Sequence, residues 1–73
     1  MINYYLTFGQ EHTHSYNGIT LDKDCICKIT ARDYIDIRNF VIGKFGTKWS
    51  ILYPEEELSD LIPYFKRGII ELN

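Results

Sequence analysis

Seventy-three residues carry eight Lys and Arg against ten Asp and Glu, a formal net charge of −2, with 45% hydrophobic and 15% aromatic side chains. A chain this short forms one domain, residues 1–73, and buries only ~60% of the surface its unfolded form exposes. The composition excludes a disordered tail, and the lack of a basic stripe excludes a duplex-DNA binder.

From Ile2 to Phe8 the even positions Ile2, Tyr4, Leu6 and Phe8 are apolar, the period of two of a half-buried strand. Gly9 ends it. The segment GQEHTHSYNG has no apolar periodicity and closes on Asn17-Gly18, a strong turn dipeptide, so a long hairpin loop is expected there. A second strand is expected from Leu21 to Ile29, with Cys25, Cys27 and Ile29 inward. Reduced thiols packed in a sheet are the expected state of the two cysteines.

TARDYIDIRNFVIGKFG changes period: Tyr34, Ile37, Val41, Ile42 and Phe45 make one helical stripe. Thr30 and Asp33 resemble a capping box, and Gly46 is the expected stop. KWSILY alternates again, with Trp49, Ile51 and Tyr53 on one face, and reads as a third strand. PEEELSDLIPYF reads as a short helix with acids in its first turn, stopped by Pro63, and Ile69 to Leu72 as a last strand.

The order β-β-α-β-α-β predicts an α+β domain: a small, mostly antiparallel sheet with one principal helix packed on one face. The crossover through the helix sets strand three parallel to strand two, on the far side of strand one. The Gly9–Asn17 loop, the C-terminus of the long helix and Lys48-Trp49 then meet at one end of the domain. His12 and His14 are expected to share that rim with Lys44, Lys48 and Trp49.

Several chemistries compete for the rim. His-x-His with Cys-x-Cys supplies zinc-binding donors, but the strand spacing of Cys25 and Cys27 is wrong for a knuckle, so no metal and no cofactor is expected. HTHS fails the paired His-x-Thr/Ser pattern of two-histidine phosphoesterases, because His14 and Tyr16 stand where Thr or Ser belongs, and a second copy is absent. Nucleophilic catalysis needs a water-poor cleft that so short a chain has little room to build, so no catalytic residues are assigned and no enzyme is expected. A binding rim fits better: Tyr5, Tyr16, Trp49 and Tyr53 as stacking faces, with His12, His14, Arg32, Arg38, Lys44 and Lys48 facing phosphate or carboxylate oxygens. Not all can face one recess in one chain, so a homo-oligomer is expected. The acids Glu55, Glu56, Glu57 and Asp60 offer a second surface, for a basic partner.

YYLTFGQEHTH followed by ITARDYIDIRNFVIGKFGTKWSILYPEEE resembles a group of small proteins of tailed phages and prophages. The resemblance rests on Thr7, Phe8, Gly9 and His12, on Ala31, Asp33, Tyr34 and Arg38, and on Phe45, Gly46, Lys48, Trp49 and Tyr53. It departs at Ile37, where alanine is usual, and fades beyond Leu58. Such proteins often counter bacterial immunity, some as sponges that bind a nucleotide-derived signal without cleaving it, as in those that oppose Thoeris or cyclic-oligonucleotide systems. Others, like anti-CRISPR proteins, occlude a defence enzyme.

The resemblance, taken with the expected rim, points to sequestration of an ADP-ribose-like or cyclic nucleotide by His12, Arg38, Lys48, Trp49 and Tyr53 of the matched pattern, with His14 and Lys44 added by the rim. The alternative it leaves is a protein–protein inhibitor of a host defence enzyme, acting through the acidic helix or a sheet edge. No apolar run approaches the ~20 residues that span a bilayer, and MINYYLTFGQ lacks the pattern of a signal peptide. A cytosolic protein is the expectation.

Overall fold

A computed structural model describes residues 1–73. The chain runs β1 (Ile2–Thr7), β2 (His14–Tyr16), β3 (Ile19–Leu21), β4 (Cys25–Ala31), α1 (Tyr34–Phe45) and β5 (Ile51–Pro54). A segment of three short turns follows, a 3₁₀ turn Glu55–Glu57, α2 (Leu58–Leu61) and a 3₁₀ turn Ile62–Tyr64, before β6 (Gly68–Glu71). The fold is α+β. A four-stranded sheet has the order β5-β1-β4-β6, and β2 and β3 form a separate two-stranded sheet.

β1 pairs antiparallel with both β4 and β5, so β5 runs in the same direction as β4 on the far side of β1, as the crossover predicts. β6 pairs parallel with β4. Register then decides which side chains share a face, because alternate residues point to opposite sides. Leu6 opposes Cys27 and Leu52, and all three look toward α1, where Ile37, Val41 and Phe45 complete the core. Cys25 and Cys27 are buried and reduced.

Three expectations need correction. The segment expected to be loop contains β2, which pairs in a hairpin with β3 just beyond it, turned by Asn17 (φ 51°) and Gly18 (φ 80°), the left-handed pair that a two-residue turn requires. The second strand, expected from Leu21, starts instead at Cys25 as β4: Leu21 ends β3, and the chain breaks at Asp22–Asp24, where the Asp22 carboxylate accepts from the Asp24 amide at 3.0 Å. The helix cap is Asp33 alone, which accepts from the Asp36 amide at 2.9 Å. Thr30 belongs to β4, where its hydroxyl donates to Asn3 Oδ1 at 2.7 Å.

The sheet's second face is covered as well. Tyr5 and Ile26 point away from α1 and are still buried; on that side the turn Glu55–Glu57 lies against β1, and Leu58, Leu61 and Phe65 beyond it are half-buried. Glu55 fastens its start, accepting from Asn3 Nδ2 at 2.9 Å and from the Tyr5 hydroxyl at 3.4 Å. No helix is long and apolar enough to cross a membrane.

Candidate functional site

The backbone ladder between β1 and β5 brings the site together. Antiparallel strands place the end of one beside the start of the other, so the residues after Thr7 must lie next to those before Ile51. Thr7 splices the junction: its carbonyl accepts from the Ser50 amide at 2.8 Å, and its side-chain oxygen lies 3.3 Å from the Ile51 amide and 3.2 Å from the Ile51 carbonyl. Gly9 follows at φ 67°, and a Cβ there would stand 3.2 Å from that of Ser50. A bare glycine lets the two segments approach this closely.

Trp49 is fixed from the other side. Its indole N–H donates to the Gly46 carbonyl at 2.9 Å, satisfying one of the polar groups left over where α1 ends, and its ring packs against the core. Gly46 at φ 63° turns the chain out of the helix. Between these two fixed segments lies an open recess of about 450 Å³. His12, Gln10 and Glu11 form one wall, Trp49 and Ser50 the other, over buried Phe8.

His12 and Trp49 are thus the two expected site residues that share this recess. His14 sits beside it and faces inward, its ring centroid 5.4 Å from Phe8 and 4.9 Å from Phe45, with Nε2 2.6 Å from the Lys48 carbonyl. A carbonyl only accepts, so Nε2 carries the proton. Lys48 meets His14 through its backbone, while its side chain is exposed. Lys44 lies over the Phe40 ring at 5.9 Å, and Arg38 is exposed on α1, both outside the recess.

Tyr53 lines a neighbouring recess of about 360 Å³ on the sheet's second face. The remaining candidate stacking and cationic groups are engaged elsewhere: Tyr5 is buried, the Tyr16 hydroxyl donates to the Leu72 carbonyl at 3.2 Å, and Arg32 pairs with Asp36 at 3.5 Å. No three of the histidines, cysteines and acids gather at metal-binding distance.

Gln10, Glu11 and Ser50 escape a reading of the sequence because polar loop residues leave no periodic mark. The one signal that points to them is Gly9, whose positive φ and bare α-carbon bring Ser50 close.

No family model, curated protein or solved structure matches the chain.

Proposed function

We propose that this protein is a non-catalytic binding module that sequesters a nucleotide-derived signal, an accessory factor of phage type acting against bacterial immunity in the host cytosol. The observation that supports this reading is the pairing of His12 and Trp49 across one open recess. An indole face gives a nucleobase a stacking surface of about 1–3 kcal/mol. The His12 imidazole, Gln10 amide and Ser50 hydroxyl offer donors to phosphate and base oxygens, and Glu11 accepts from ribose hydroxyls or exocyclic amines. Catalysis draws on water exclusion, whereas sequestration needs affinity alone, so an open recess suits the second.

One protomer covers a ligand from one side. A second copy closing the recess completes the reading, and it would bring exposed cations such as Arg38 or Lys44 to bear on phosphates.

Thermal melts with ADP-ribose, cyclic mononucleotides and cyclic dinucleotides test the proposal. A ligand at one hundred times its Kd adds about 2.7 kcal/mol of apparent stability. His12→Ala, on an exposed loop, is expected to remove that gain. A melting temperature unmoved by each nucleotide at millimolar concentration would sink the reading.

The exposed, unpaired carboxylates of Glu56 and Glu57 beside edge strand β5 favour a second reading, in which the protein docks on a basic surface of a defence enzyme. Charge reversal at Glu56 and Glu57 would then abolish a stoichiometric pull-down from infected cells.

A further inference from the structure

The two recesses at this end of the domain are not separate features. Gly9, Gln10 and Ser50 line both, so the Gly9–Ser50 contact is a saddle with a hollow on either side. One hollow, of about 450 Å³, holds His12 and Trp49. The other, of about 360 Å³, holds Tyr53, Tyr64, Phe65 and Lys23. Each alone falls toward the lower end of the ~300–1,000 Å³ range of small-molecule sites.

Their chemistry repeats across the saddle. Each side carries aromatic rings and one cation-capable side chain, His12 on the first and Lys23 on the second. Tyr64 is 77% exposed, a large ring that nothing in the chain covers. The saddle between is narrow and polar, formed by the Gln10 amide, the Ser50 hydroxyl and a glycine whose missing side chain keeps the ridge low. Any Cβ at Gly9 would press on Ser50.

Resting on the reading of the first recess as a nucleotide site, we infer that the saddle and both hollows form one two-lobed site for a dinucleotide. One base lies against Trp49, the second against Tyr64 and Tyr53, and the phosphate linker crosses at Gly9 and Ser50 within reach of His12 and Lys23. A ligand with two ring systems joined by phosphate uses both lobes, whereas a mononucleotide fills one. Joining two weak subsites through a short linker raises affinity by roughly 10²-fold or more over either alone.

Calorimetric titration of the full chain with AMP, GMP, and cyclic and linear dinucleotides of adenine and guanine tests this. The expected result is at least one dinucleotide binding about 100-fold tighter than its mononucleotide. Tyr64→Ala, at a position too exposed to carry the fold, is expected to weaken the dinucleotide at least tenfold and leave the mononucleotide unchanged. His12→Ala is expected to weaken both. A mononucleotide that binds as tightly as its dinucleotide, or a dinucleotide indifferent to Tyr64→Ala, overturns the two-lobed site while leaving the first recess standing. Failure of every mononucleotide and dinucleotide to bind overturns the two-lobed site, and the first reading falls with it when ADP-ribose and the cyclic mononucleotides also leave the melting temperature unmoved.

Discussion

The His14 imidazole donates to the backbone carbonyl of Lys48 at 2.6 Å, and that single bond ties the β2–β3 hairpin to the segment leading into β5. Its ring also fills the space between Phe8 and Phe45. His14 is therefore a strut for the recess wall. His14→Ala removes a hydrogen bond and two aromatic contacts, so a loss of about 2 kcal/mol is expected in urea unfolding. A loss within experimental error of zero would show that the hairpin is held by other contacts.

Gly9→Ala meets two separable penalties. The left-handed backbone disfavours any Cβ by about 1–2 kcal/mol, and the new methyl crowds Ser50 at 3.2 Å. A double substitution with Ser50→Gly relieves the crowding and not the backbone cost. Unfolding free energies of the two single variants and the double variant should therefore couple favourably, with the double variant still less stable than Ser50→Gly alone.

The cysteine pair gives stability a pH dependence. The Cys27 thiol, and then the Asp22 amide at 3.2 Å, hold the Cys25 thiol down at about 7, while the proton shared with Cys25, and next burial, push the Cys27 thiol far up. An unfolded thiol titrates near ~8.5. For Cys25 the folded value is the lower one, so its contribution is fully present above ~8.5 and lost as pH falls through 7. For Cys27 the sign is opposite: its contribution is present below ~8.5 and lost as pH climbs beyond. Urea midpoints should rise from neutral pH to about 8.5 and fall thereafter, and Cys25→Ala should erase the rise. A rise that survives the substitution would assign it to another group.

Tyr5 adds to the alkaline limb. Burial, and next the Glu55 carboxylate, raise its hydroxyl above the ordinary tyrosine value. A raised folded value means stability fully present below ~10 and lost as pH rises through the folded value. Tyr5→Phe should flatten that loss, measured as the slope of melting temperature against pH above ~10. The same contact shows why a charge-reversal test of the acidic segment should spare Glu55: it is a fastening for the second face, and only Glu56 and Glu57 beside it are free for a partner.

Much of this architecture can be read from the residues because hydrophobic period tracks burial. Leu6, Phe8, Cys25, Cys27, Ile37, Val41 and Phe45 are buried where period two or period 3.6 places them. The hairpin escapes because strands of three residues, HSY and ITL, are too short to show a period, and one of their inward groups is an imidazole. Ile51 and Tyr53 alternate correctly but face away from α1, since a strand's period does not say which of two covered faces is which; Leu52 is the residue toward the core. The nearness of His12 to Trp49 follows from topology alone, through the crossover and the β1–β5 ladder. Tyr64, like Gln10, Glu11 and Ser50, is left out by reasoning from the sequence, because an exposed ring after a proline has no partner in the local pattern.

The parallel pairing of β4 with β6 joins Cys25 to Gly68 across more than half of the chain. Contacts so distant in sequence close late, so folding slower than the μs to ms of helical bundles is expected. Until β6 arrives, one margin of β4 has open amides and carbonyls, and during that interval a nascent copy is most prone to mispair with another.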